Sequence, residues 1–176
     1  MQKCLVITVG STKFDALIHS INAKHASLSR LIEKFAISRI LVQHGASPAP
    51  IDPKIPHLTF SAVDYLPPAE MAERLAEASL VISHAGAGTV FEILRSQNAA
   101  LEALCIVAND SLMDSHQSEL VQALKDLKCP IQCGSAVDPF SRIQNVKTDL
   151  AAFKLPNPNY GQVARIIKEA LKWIKN

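Results

Sequence analysis

Leu80-Val-Ile-Ser-His-Ala-Gly-Ala-Gly-Thr-Val-Phe-Glu92 holds the reading on which the fold rests. An apolar strand, Leu80–Ser83, runs into a short turn carrying Gly86 and Gly88, and a helix opens at once, from Thr89 to about Ser96. A junction of this kind aims unpaired backbone N–H groups and the positive end of a helix dipole at whatever lies above the turn. Phosphate is the usual occupant. Thr89 adds a hydroxyl, and Glu92, one turn deeper, adds a carboxylate. Phosphate donors beside a carboxylate suit a nucleotide, whose diphosphate and ribose diol lie close together. The turn is neither G-x-G-x-x-G nor a P-loop, since no lysine follows the glycines.

Outward from this junction, strand-like and helix-like segments alternate. Cys4–Val9 reads as a first strand and Phe14 to about Phe35 as one helix with an apolar stripe of Leu17, Ile18, Ile21, Leu28, Leu31 and Ile32. Arg39–Gln43 is a second strand, Ser47–Pro53 a proline-rich loop, and Leu58–Val63 a third strand. Pro67-Pro68 opens a helix whose core side carries Met71, Leu75 and Ala78. Leu101–Val107 reads as a fifth strand, with an extension of the preceding helix over Ala99 to Leu104 as the alternative. A helix from Ser115 to about Leu127, a short strand over Pro130–Cys133 and a final amphipathic helix at about 161–175 complete the pattern. The final helix carries Val163, Ile166, Ile167, Ala170, Leu171 and Ile174 in one stripe, with Trp173 beside it. Short apolar strands alternating with helices predict an α/β, doubly wound, mainly parallel Rossmann-like sheet covered on both faces. Such sheets bind ligands beyond the carboxyl ends of their strands, which groups the junctions at Gly10, Tyr65, Gly86 and Asn109 on one edge.

Composition bounds the function. A chain of 176 residues fits one domain spanning 1–176. Its 48% apolar and 19% charged residues describe a globular protein, and a net charge of +2 gives no reason to expect nucleic acid. No window approaches the ~18 continuous apolar residues of a membrane span. The apolar run in Met1–Val9 is too short for a secretory signal. Four cysteines without framework spacing point to a reducing compartment, and no histidine, aspartate and cysteine cluster reads as a metal site.

Four stretches in order, Val9-Gly-Ser-Thr-Lys-Phe-Asp15, Val81–Thr89, Glu92 and Leu112-Met-Asp-Ser-His-Gln117, resemble one family. It is the cytosolic catalytic subunit of the eukaryotic UDP-N-acetylglucosamine transferase that adds the second sugar to dolichol diphosphate. That subunit resembles the C-terminal, donor-binding half of the bacterial lipid-linked muropeptide glycosyltransferase, a two-domain GT-B enzyme. The resemblance covers most of Lys3 to about Leu127. It implies that Gly10, Ser11 and Thr12 form a loop facing the nucleotide diphosphate, and that Tyr65 and Leu66 read the uracil edge with their backbone. It places Gly86, Ala87, Gly88 and Thr89 under the diphosphate, Glu92 on the ribose hydroxyls, and Asp114, His116 and Gln117 against the donor sugar. Each role suits its residue type.

The resemblance further implies metal-independent, inverting transfer of N-acetylglucosamine with no cofactor. It implies a membrane-anchored acceptor-binding partner that recruits the chain from the cytoplasm to the cytosolic face of the endoplasmic reticulum, where the dolichol-linked acceptor lies. No general base stands out; His84 and His116 are the candidates, and the base is expected on the partner. Plainer readings stand beside these. His84 can bond a neighbouring backbone group, His116 and Asp114 can cap the helix that follows, and Lys13 can be an exposed lysine without a ligand. A departure from the family falls at Ser96–Asn109, where a Gly-Lys-Pro turn is missing, residues are added and Ala108 replaces a usual proline. It keeps open a non-catalytic UDP-sugar-binding regulator as the alternative function. A serine hydrolase built on Ser83 or Ser115 lacks the G-x-S-x-G elbow.

Overall fold

A computed structural model describes residues 2–96, 98–109, 116–141, 143 and 152–154, with the backbone alone described at His116. Six strands form one sheet: β1 (Lys3–Thr8), β2 (Ile37–Gln43), β3 (Thr59–Val63), β4 (Leu80–His84), β5 (Ala103–Val107) and β6 (Gln132–Gly134). The helices are α1 (Asp15–Ala23), α2 (His25–Phe35), α3 (Pro68–Glu77), α4 (Ala87–Arg95) and α5 (His116–Asp126). The strand order is β3-β2-β1-β4-β5-β6 and every pairing is parallel. This is the doubly wound, Rossmann-like arrangement that the alternation of segments predicts.

Central strands read as unbroken apolar runs because both faces are buried. In β1, Cys4 and Val6 join the core layer under α3, α4 and α5, whereas Leu5 and Ile7 join the layer under α1 and α2. Leu80 and Ile82 in β4, and Ala103, Cys105 and Val107 in β5, face the α1–α2 layer; Val81, Leu104 and Ile106 face the other. Beyond β6, Phe140 and Ile143 close the α1–α2 layer. Ser27 Oγ donates to Asp138 Oδ2 at 3.0 Å, and Lys34 Nζ to the Ile143 carbonyl at 3.1 Å, which pins that segment to α2.

The helix expected over Phe14–Phe35 is two. It breaks at Lys24 (φ −114°, ψ 39°). A continuous helix would put Lys24 or His25 on the stripe between Ile21 and Leu28, where only an apolar side chain could be buried. Flanking side chains serve the proline-rich loop instead. Asn22 Nδ2 donates to the Ile51 carbonyl at 2.7 Å, its Oδ1 accepts from Ile51 N at 3.1 Å, and a His25 ring nitrogen lies 3.1 Å from the Pro53 carbonyl.

The stretch after α4 returns to the sheet at β5 without extending the helix. Helix α4 ends at Arg95, so the helical alternative for Ala99 to Leu104 does not hold. Buried Asn98 donates to the carbonyls of Leu75 and Ala78, at 2.9 and 2.8 Å, and accepts from Ala100 N at 2.9 Å. The turn is thereby tied to the end of α3, and β5 stays in register with β4 from Leu80↔Ala103 to His84↔Val107. The short strand expected at Pro130–Cys133 runs over Gln132–Gly134. The amphipathic helix expected at about 161–175 lies outside the described residues.

Candidate functional site

The strand order reverses between β1 and β4: β1 leads to β2 on one side and β4 to β5 on the other. Their carboxyl ends open a crevice at this switch point, where doubly wound sheets receive ligands. Two of the predicted motifs flank it, the Gly10 turn after β1 and the Gly86–Thr89 turn after β4.

Helix α4 starts on Gly86, which has extended geometry and gives no side-chain cap. Its first intrahelical bond runs from Val90 N to the Gly86 carbonyl, so the amides of Ala87, Gly88 and Thr89 lack intrahelical acceptors. All three residues are half-buried. Beneath them sits His84, 5% exposed, whose Nδ1 has no hydrogen-bond partner among the described residues. Burial pushes its pKa down to about 4, against a smaller opposing effect of a backbone hydrogen bond with Thr8. The ring is therefore neutral at pH 7, with a buried polar atom left to be satisfied.

His84 also explains both glycines. A Cβ on Gly10, whose φ is +63°, would lie 2.9 Å from His84 Cε1, and one on Gly86 would lie 2.6 Å from the same atom. The imidazole fills the space between the two turns. Glycine at these positions thus answers to the ring as well as to any ligand.

Around this centre the other predicted residues fall as follows. Glu92 is half-buried on α4, and desolvation raises its carboxyl pKa above the ordinary value. Thr12 turns its hydroxyl inward to the Val9 carbonyl at 2.8 Å, so it braces its own loop, while Ser11 is exposed. Lys13 Nζ pairs with Asp15 at 3.2 Å on the surface. Tyr65 is 58% exposed at the end of β3, and its N–H donates to Asp64 Oδ1 at 2.7 Å. Pro67 and Pro68 have no N–H, which leaves Leu66 the donor of this short stretch. Gln117 Oε1 accepts from Asn109 N at 2.9 Å, so this oxygen already serves the fold. Asp114 lies outside the described residues, as does the side chain of His116.

Two buried polar residues hold the Gly10 turn from either side: Asn109, which the sequence places on the ligand edge without a role, and Gln43, which it does not single out. Asn109, after β5, donates to the Lys13 carbonyl at 3.1 Å. Gln43, the last residue of β2, donates to the Gly10 carbonyl at 2.6 Å. A polar residue ending an apolar strand at the ligand-binding edge is a usable signal, and Gln43 carries it. Among the described residues no group of three histidine, cysteine, aspartate or glutamate side chains is placed to hold a metal ion. Cys105 and Cys129 are pushed up to about 12 by burial, which makes them inert thiols. An open groove of about 570 Å³ between α1 and the proline-rich loop includes none of Gly10, Leu66 or Gly86 to Glu92.

A Rossmann-like sheet with a glycine turn and an uncapped helix amino terminus at its switch point defines a doubly wound α/β domain. More narrowly, the chain matches the glycosyltransferase family 28 C-terminal domain over residues 4–158 and belongs to that family. Its relatives include the human UDP-N-acetylglucosamine transferase subunit ALG13, 36% identical over 122 residues, which are 69% of this chain and 10% of the human protein. The protein of that name from Yarrowia lipolytica is 29% identical over 174 residues, 97% of this chain and 85% of the relative. The chain thus spans about a tenth of the human relative and most of the yeast one. Two solved structures share the fold. An NMR structure of ALG13 gives a TM-score of 0.56 at 19% identity, covering 84% of this chain and 89% of that one. The Streptomyces nogalater glycosyltransferase SnogD gives 0.53 at 19% identity, covering 97% and 40%.

Proposed function

We propose that this chain is the donor-binding subunit of a UDP-N-acetylglucosamine transferase and that it adds the second N-acetylglucosamine to dolichol-diphosphate-N-acetylglucosamine. The observation that carries the reading is the pairing of the Gly10 turn with the uncapped α4 amino terminus over a buried, unsatisfied His84, in a chain of this glycosyltransferase family. The amides of Ala87, Gly88 and Thr89 receive the diphosphate, and the α4 dipole offsets the charge that develops on it as the sugar leaves. Neutral His84 packs beneath this turn and props it against the Gly10 turn, adding no charge to oppose the anion. Glu92 accepts from the ribose hydroxyls. A uracil edge needs one donor and one acceptor, and Leu66 N–H and C=O supply both from a single residue.

Transfer also needs a base on the acceptor hydroxyl and a groove for the acceptor. We assign these to a membrane-anchored partner at the cytosolic face of the endoplasmic reticulum, with inversion at the anomeric carbon and no metal ion. Asp114, His116 and Gln117 are assigned to the sugar, Gln117 through its amide nitrogen, because its oxygen is engaged by Asn109.

Titration of the chain with UDP-N-acetylglucosamine, UDP-glucose and GDP-mannose tests the donor assignment. Half a site binds weakly, near millimolar, or about 4 kcal/mol. UDP-N-acetylglucosamine is expected to bind best, and Glu92→Ala to weaken it by about tenfold or more, the value of a hydrogen bond to a charged group. Binding of GDP-mannose alone would contradict the assignment.

A further inference from the structure

We propose that Gln43 is the positioning residue that sets the distance between the uridine-reading loop and the diphosphate turn; this rests on the donor-site reading above. Strand β2 lies between β1 and β3 in the sheet. No ligand contact is assigned to it. Adjacent strands lie about 4.8 Å apart, so the ends of β1 and β3 are separated by about 10 Å with β2 as spacer. A uridine diphosphate has a fixed covalent reach from base to phosphate, and two loops that read its two ends must keep a matching separation.

The Gln43 side chain spans that gap. It is 2% exposed, and both its amide hydrogens and its oxygen are engaged. Nε2 donates to the Gly10 carbonyl at 2.6 Å on the β1 side and to the Asp64 carbonyl at 3.1 Å on the β3 side. Oε1 accepts from Thr8 Oγ1 at 2.5 Å, and that hydroxyl in turn accepts from Gly10 N at 3.2 Å. One planar amide thus fixes the turn at Gly10 and the residue just before Tyr65. Backbone bonds reinforce the clamp: Gly45 N donates to the Asp64 carbonyl at 3.0 Å, and Val9 N to the Gln43 carbonyl at 3.1 Å. Gly45, at φ +57°, keeps its turn close to Gly10, whose carbonyl a Cβ there would approach to 2.6 Å. Gln43 itself touches neither end of the ligand in this arrangement. Its effect is to hold two weak half-sites at a separation that one molecule can bridge, which raises affinity without a new contact.

The test compares the full 176-residue chain with Gln43→Met, which keeps the length and removes both donors, using UDP, uracil and inorganic pyrophosphate as probes. Amide shifts are followed in each titration. UDP is expected to bind the variant about tenfold more weakly, about 1.4 kcal/mol, while uracil, held only on the β3 side of the spacer, and pyrophosphate, held only on the β1 side, change by less than about twofold. An unchanged UDP affinity overturns the positioning role, and so does an equal fall for all three probes, which marks general loss of structure. Absence of UDP binding to the unaltered chain overturns the donor-site reading itself, a different outcome from binding that Gln43→Met leaves intact. Should Gln43→Met fail to fold, Thr8→Val removes the hydroxyl that orients the amide and Thr8→Ser restores it. Weaker UDP binding in the first with recovery in the second supports the role; equal affinity in both overturns it.

Discussion

At pH 7 the imidazole of His84 is neutral, because burial holds its pKa at about 4 while the unfolded chain titrates at the ordinary 6.5. The sign of the consequence follows. Below pH 6.5 the unfolded chain gains a proton that the folded chain refuses, so stability drops as pH falls and the loss is complete near pH 4. About 3 kcal/mol is at stake for a shift of this size. Urea unfolding at pH 7 and pH 4 should therefore show a difference smaller by about 3 kcal/mol in His84→Gln than in the unaltered chain; parallel behaviour would remove His84 from the account. The glycines answer to the same ring. Gly86→Ala drives a methyl into the imidazole, and Gly10→Ala adds a left-handed backbone strain to a close contact, so each should destabilise by about 1–3 kcal/mol. Combining Gly86→Ala with His84→Ala should cost less than the sum of the two, measured as a double-mutant cycle, because the second change makes room for the first. At this scale the sequence was partly legible. Gly86, Gly88 and Thr89 mark the junction between β4 and α4, but that His84 is the object packed between Gly10 and Gly86 depends on two loops 76 residues apart in number meeting at the switch point.

Elements were read best where burial on both faces makes a strand an apolar run, as in β1, β4 and β5. Reading failed where a polar side chain answers to a distant backbone. Asn22 and His25 hold the proline-rich loop and mark the break between α1 and α2, yet neither is a helix breaker by type. Asn98 is a similar case, for it secures the end of α3 and lets the altered stretch after α4 return to β5 in register. Asn98→Ala takes the side-chain donor from the Ala78 carbonyl and leaves that of Leu75 only its bond from Ala78 N, and should cost about 2 kcal/mol in urea unfolding, while UDP-N-acetylglucosamine affinity stays within about twofold. A large fall in affinity with intact stability would mean that the altered stretch reaches the donor site directly.

As a whole, the molecule presents one wall of a crevice: a sheet edge with turns, an unsatisfied imidazole and a helix amino terminus, and no second domain opposite among the described residues. Its doubly wound fold could be read from alternation alone, and the family from four ordered motifs. The clamp at Gln43 could not, since strand order decides which loops are neighbours. The half-site account predicts that the isolated chain binds UDP-N-acetylglucosamine yet gives no transfer to a dolichol-diphosphate acceptor, and that transfer starts when a membrane-anchored acceptor-binding subunit is added. Turnover by the chain alone would place the base and acceptor groove on this polypeptide. The most direct measurement is a residue-by-residue map of amide shifts in the labelled chain on addition of UDP-N-acetylglucosamine. The predicted result is a continuous patch of shifts at Gly10, Leu66, Gly86 to Thr89 and Glu92, absent or weakened in Glu92→Ala. Shifts confined to the groove between α1 and the proline-rich loop, with the switch point silent, would contradict it.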